Sequence, residues 1–339
     1  MGGGGGWYDR DTSDYDYDKK SKTYKKEKDS KTSKGFSKEA EQKFSSRASA
    51  DSSTFPKDRV IICDGENLLI IIFDDTGSMR SFPKIFWDKM PMIAGQIGEK
   101  KYLEDPLIGI AAVGDIFSDS APLQICDLSQ AKGLDIQLQR LWLEGNGGSF
   151  DTESYELMAY FYASDRFDIS KAKNAVVIFI GDERFYDDIK EKDLKEHFGG
   201  QHQGVSSKEI FGKLKEKFKD NVFLVHREYG GNDERVVKQW QGVLSKEKVV
   251  ILPEDLAIGD IILGILALLK GITLDEYAKD MKEREQTASR IEKVTKALKL
   301  FAGSVNPFKI EKDDNKDKGN DTSATNSGIK KRNKKPGRI

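Results

Sequence analysis

Leu68-Leu69-Ile70-Ile71-Ile72-Phe73-Asp74-Asp75-Thr76-Gly77-Ser78-Met79 is the stretch around which the rest of the chain is arranged. Its apolar run, rich in branched side chains and bounded by turn formers, predicts a strand buried on both faces in the middle of a parallel sheet. The chain then turns polar at once. Asp74, Thr76 and Ser78 fall on alternate positions of a short turn, so one carboxylate and two hydroxyls converge beyond the carboxyl end of that strand. Open α/β sheets place their ligands there. Such oxygen donors suit a hard cation: Mg²⁺, Mn²⁺ or Ca²⁺. If neutral hydroxyls touch the metal and carboxylates balance it from further out, the ion keeps enough charge to accept a carboxylate from outside. The plain alternative is a strand-to-helix turn in which Asp74 or Thr76 only caps the helix.

Upstream, residues 60–63 read as a short strand or a lead-in and Asp64-Gly65 as a turn. Downstream, residues 81–99 read as a helix with Ile85, Phe86, Met90, Ile93 and Ile97 on one face and a kink at Pro91. A strand over 107–113 ends in Gly114-Asp115. Residues 123–126 follow too soon for a helical crossover, which predicts an antiparallel edge strand. Then come a helix or helical turn over 136–143, a glycine-rich loop over 144–152, and a helix over 153–163 packed through Leu157, Met158 and Phe161. An apolar strand over 175–180 closes with Gly181-Asp182-Glu183. At least one helix, near 208–217, precedes a strand over 222–225, a helix over 233–244, a strand over 249–252 and a covering helix over 255–270. The alternation predicts a doubly wound, mostly parallel, Rossmann-like α/β sheet with one antiparallel edge strand and helices on both faces. Asp74, Asp115 and Asp182 all end strands, and acids recurring at one end of a sheet favour a cation site over isolated helix caps.

Four segments follow from composition. Residues 1–57, rich in Gly, Tyr, Asp and Lys, bury too little apolar surface to fold alone and are expected to be disordered; Trp7, Tyr8, Tyr15, Tyr17 and Tyr24 are either incidental or a docking segment. Residues 58–272 form the α/β domain. Residues 273–305 form an exposed helical extension whose stripe of Ile291, Val294, Leu298 and Leu300 packs on the domain or pairs with a partner helix. Residues 306–339 are an expected disordered tail with a basic end, limited to weak contact with phosphates or anionic surfaces. The formal net charge of −1 over 339 residues argues against bulk nucleic-acid binding. Cys63 and Cys126 sit in or near apolar runs and read as reduced, buried thiols. With no signal-peptide pattern after Met1 and no unbroken membrane-length apolar run, a cytoplasmic, non-membrane protein is expected.

The motif Asp74-Asp75-Thr76-Gly77-Ser78-Met79 after an apolar strand resembles the opening of the metal-ion-dependent adhesion site of von Willebrand factor A domains. The resemblance covers about residues 59–269. In that family a glycine-rich loop opening a helix adds a second element; Gly147-Gly148-Ser149-Phe150-Asp151-Thr152 stands at the matching place but departs from the usual pattern, which leaves Ser149, Asp151 and Thr152 as alternative ligands. Ile180-Gly181-Asp182 resembles the third element. Ala112-Val113-Gly114-Asp115, residues 141–149 and Glu153-Ser154-Tyr155-Glu156-Leu157 look more narrowly like bacterial and phage proteins with this domain. The resemblance implies an intracellular protein-binding module that is not an enzyme. Thr76 and Ser78 would hold Mg²⁺, Asp74 and Asp182 would hold its waters, Asp151 or Thr152 would complete the site, and a partner Asp or Glu would fill the open position. Such domains often work inside larger assemblies, with AAA-type ATPases among their partners.

Two rivals stand beside this reading. A haloacid-dehalogenase-like phosphatase would use Asp74 as nucleophile, with Gly181-Asp182 and Asp187 as its later acids, but Thr76 stands where its general acid belongs. A metal-independent scaffold would bind through the tails. Neither a Gly-x-Ser-x-Gly elbow nor a phosphate loop is present, and His197 and His202 read as members of a solvated loop without zinc spacing.

Overall fold

The computed structural model describes Gln42, residues 49–144 and residues 152–308. The apolar run forms β1 (Asn67–Asp74), from which every side chain after Asn67 is buried. It pairs in parallel with β2 (Leu107–Val113) from Leu68 opposite Leu107 to Asp74 opposite Val113. On its other edge it pairs in parallel with β4 (Asn174–Gly181), Phe73 lying opposite Ile180. β3 (Leu123–Ile125) runs antiparallel to β2, as the short connection requires. β5 (Val222–His226) and β6 (Val249–Ile251) extend the sheet in parallel beyond β4. The resulting order is β3-β2-β1-β4-β5-β6. This is the doubly wound, Rossmann-like architecture expected, and its winding reverses between β1 and β4, the place where open α/β sheets take their ligands.

The pleat divides the core. Leu69, Ile71 and Phe73 face α1 (Phe82–Lys100) and α7 (Ile258–Leu269), whereas Leu68, Ile70 and Ile72 face α3 (Tyr155–Ala163), α5 (Ser207–Lys217) and α6 (Asp233–Leu244). α1 runs through Pro91 without interruption. Cys63 and Cys126 are free and buried. No described helix is long and apolar enough to cross a membrane.

Several elements depart from the expected ones for local reasons. The helix expected over 136–143 is the shorter α2 (Leu134–Leu138), because the Gln124 side chain bonds both the N–H and the carbonyl of Trp142 and draws that stretch out as an edge segment. α3 starts at Tyr155 because Thr152–Glu153 pairs instead with Arg184–Phe185. Between β4 and α5 stands α4 (Glu191–Phe198), which carries His197; His202 is held by the Tyr160 hydroxyl, so neither histidine is in a purely solvated loop. Residues 60–63 contribute only Ile61–Ile62, paired with Phe167–Asp168 outside the main sheet.

The disorder expected over 1–57 does not extend to its last residues, which are held from Asp51 onward: Arg140 binds Asp51 and Ser53, and Thr54 is buried. At the other end, α8 (Leu274–Glu283) and α9 (Ala288–Ala302) keep their outer faces exposed and pack on the domain through their apolar stripe, so that Tyr277, Met281, Val294, Leu298 and Phe301 join the core of the α1–α7 face. The buried stripe therefore includes Phe301, while Leu300 is 50% exposed. The expectations for residues 1–41, 43–48 and 309–339 lie outside the described residues.

Candidate cation site at the carboxyl end of the sheet

β1 delivers Asp74 to the sheet's carboxyl end, and the tight turn that follows folds its own donors back onto it. Asp74 Oδ1 accepts from the Thr76 backbone N–H at 2.8 Å and from Thr76 Oγ1 at 2.6 Å. Its Oδ2 accepts from the Tyr155 hydroxyl at 2.7 Å. Asp74 is fully buried, and both its oxygens are engaged. Burial pushes its carboxyl up, against the hydrogen bonds from Thr76 and Tyr155 that favour its charge.

β4 supplies the opposite wall. Ser78 Oγ donates to Asp182 Oδ1 at 2.8 Å, and Thr76 Oγ1 lies 3.2 Å from Ser78 Oγ. Each hydroxyl has a single proton, and in each case the shorter contact is to a carboxylate. When Asp74 and Asp182 are ionised both protons go to the carboxylates, and the two hydroxyl oxygens then face each other through lone pairs. Asp182 Oδ2 is buried without a hydrogen-bond partner, its nearest cation being Arg227 Nη1 at 3.6 Å. That arginine is shared, since it also donates to the Ser78 carbonyl and to both oxygens of Asp255.

The surroundings are strongly acidic. Burial, then the neighbouring Asp74 charge, pushes Asp182 up to about 8. Glu153, 1% exposed and with Oε2 unpartnered, is pushed up to about 11 by burial and then by Asp74, Asp115 and Asp119. Asp75 is raised well above its usual value by burial and Asp74, and Asp119 is raised to about 6, chiefly by burial. Buried charges of one sign are ordinarily paired or bound to metal. Among the described residues no three His, Cys, Asp or Glu side chains form a metal-holding group. The donor set that does converge is mixed: two hydroxyls, an unsatisfied carboxylate oxygen and a carboxylate behind them. It fits an oxygen-seeking cation, and it offers nothing to a soft one.

Of the expected site residues, Asp74, Thr76, Ser78 and Asp182 are brought together. Thr152 lies in the ribbon opposite Arg184, which sets it beside the loop leaving Asp182. Asp151, with the rest of the glycine-rich stretch 145–151, lies outside the described residues. Asp115 serves its own turn, accepting from Phe117 N–H, Ser118 and Tyr186. Sequence reasoning missed Tyr155, Glu153 and Arg227. None of the three carried a local signal in sequence; the structure alone shows that Gly181 admits Tyr155, since a Cβ at Gly181 would stand 1.8 Å from the tyrosine hydroxyl.

No protein-family model matches the sequence, and no curated protein matches it. Among solved structures the chain is similar to proximal thread matrix protein 1 from the mussel byssus, with TM-score 0.39 and 12% identity over 62% of this chain and 49% of that one. It is similar to the pilus adhesin SpaC from Lactobacillus rhamnosus GG, with TM-score 0.39 and 12% identity over 64% of this chain and 32% of the adhesin. It is also similar to the conserved hypothetical protein BatB from Bacteroides thetaiotaomicron, with TM-score 0.36 and 11% identity over 59% of this chain and 97% of that one. The match thus spans about half of the mussel protein and a third of the adhesin.

Proposed function

We propose that this chain is a divalent-cation-dependent protein-interaction module of the von Willebrand factor A type, which binds a partner through an Asp or Glu placed on the ion. The observation that carries this reading is the pair of hydroxyls, Thr76 and Ser78, 3.2 Å apart, whose protons go to Asp74 and Asp182 once those carboxyls are ionised and whose lone pairs then converge. Two like oxygens in that arrangement are relieved by a cation. Thr76 and Ser78 would touch Mg²⁺, Asp74 and Asp182 would orient its waters, and Asp151 or Thr152 would complete the shell. The ion would supply the charge that a partner carboxylate seeks. Work inside a larger assembly, with an AAA-type ATPase as one candidate partner, belongs to the same proposal.

A phosphatase would need a free Asp74 oxygen to attack phosphorus, whereas three donors hold both of its oxygens. The metal-independent scaffold has one observation in its favour, the Arg227 guanidinium near Asp182. One titration separates the two. Mg²⁺ at tenfold excess over its dissociation constant should stabilise the native state by about 1.4 kcal/mol. Thermal unfolding of the full chain should therefore shift upward with Mg²⁺, and Asp74→Ala should not respond. No shift of the wild type with Mg²⁺, Mn²⁺ or Ca²⁺ would leave the scaffold reading in possession.

A further inference from the structure

The residue that follows the site turn, Arg80, is exposed, and its backbone sits at φ 52°, ψ −113°, a left-handed conformation that side-chain-bearing residues rarely adopt. The turn thus projects a cation two residues beyond Ser78. Its guanidinium carbon lies 5.2 Å from the centre of the Tyr229 ring, itself 50% exposed. Tyr229 is held in turn, because Asp233 accepts from the Tyr229 and Gly230 backbone N–H groups and from His226. Among the described residues the Arg80 side chain donates no hydrogen bond and makes no ion pair. Arg227, the other cation here, is spent on Asp255, Asp182 and the Ser78 carbonyl. A guanidinium held over an aromatic face is steadied while its N–H groups stay available to take a carboxylate with two hydrogen bonds.

We infer that Arg80 and Tyr229 form a second anchoring point beside the cation site, and that the partner segment carries two acidic residues, one for the ion and one for Arg80. This rests on the cation-site reading above. The second acid gives the module a choice among carboxylates that a bare ion cannot make. Charge complementarity favours an acidic peptide strand over a lone acid, since Arg80, two residues beyond Ser78, would add a second positive centre to the one that an ion would supply.

The test is selection of displayed random linear peptides on the full chain in Mg²⁺, with elution by chelator. Mg²⁺-dependent peptides should carry two acids. Changing the second to its amide should weaken binding to the wild type roughly tenfold or more, the size expected of one charge-assisted pair. The same change should have little further effect on Arg80→Gln, while Tyr229→Ala should show an intermediate loss. Both variants are at exposed positions and should melt with the wild type. Mg²⁺-dependent peptides with a single acid, bound equally by wild type and Arg80→Gln, would overturn this inference and leave the cation-site reading standing. Failure to recover any Mg²⁺-dependent peptide, with Asp74→Ala behaving as wild type, would overturn both.

Discussion

Gly181 and Tyr155 test the site one atom at a time. The tyrosine hydroxyl reaches Asp74 only because Gly181 has no side chain, for an added Cβ would lie 1.8 Å from that hydroxyl and 2.7 Å from Cζ. Tyr155→Phe leaves Asp74 Oδ2 buried without its donor and should cost about 1–3 kcal/mol. Gly181→Ala should cost at least as much, because the ring must leave its place against Phe179 and Trp240 as well. Urea denaturation measures both, and a Gly181→Ala protein as stable as wild type would mean that Tyr155 does not hold Asp74. Arg80 offers a second contrast. With φ at 52°, Arg80→Gly should be more stable than Arg80→Ala by about 1 kcal/mol, since glycine alone adopts that conformation without strain. Equal stability of the two would remove the strain argument. At this scale Asp74, Thr76 and Ser78 are legible in sequence because they stand at alternate positions of one short turn, and Asp182 because it closes an apolar strand. Tyr155 is not, since 81 residues separate it from Asp74 and nothing local marks the contact.

Among the elements, the six main strands were legible because each is an apolar run bounded by turn formers. Two-residue ribbons such as Thr152–Glu153 with Arg184–Phe185 are too short to carry any period, so the start of α3 was misplaced. The last two helices show a different limit: periodicity marks an apolar stripe without saying what it covers. Here α7 is the answer. Gly264 lets α8 and α9 close on it, as a Cβ there would lie 2.3 Å from Leu298 Cδ1 and 2.8 Å from Tyr277 Cε1. Arg284 then reaches Asp260 at 3.0 Å, with the two side chains 1% and 2% exposed. Removing one partner of such a pair leaves the other charge buried, so Arg284→Met should lose about 3–5 kcal/mol. Arg284→Met with Asp260→Leu should recover most of that loss, because replacing both charges removes the desolvation penalty with the attraction. A single variant as stable as the double one, by urea midpoint at unchanged slope, would show that this pair does not clamp the helices.

On the scale of the whole molecule, the acids at the carboxyl end of the sheet couple stability to protons and to cations at once. Asp182 titrates near 8 and Glu153 near 11 in the fold, both well above the ordinary 3.8 and 4.5. A carboxyl raised on folding binds its proton more tightly in the native state than in the unfolded one. Its contribution is therefore full below the unfolded value and is lost as pH rises through the folded value. For Asp182 that window runs from about pH 4 to about 8, and for Glu153 it runs on toward 11. Metal-free protein should accordingly lose stability across the neutral range, and Asp182→Asn should flatten that slope. A divalent ion replaces the proton as the partner of Asp182, so the stabilisation by Mg²⁺ should grow over the same interval and be largest above pH 8. Melting temperatures across that range, with and without Mg²⁺, give both curves. A Mg²⁺ response that does not vary with pH, or that persists in Asp182→Asn, would place the ion away from Asp182 and separate the proton-binding acids from the cation site.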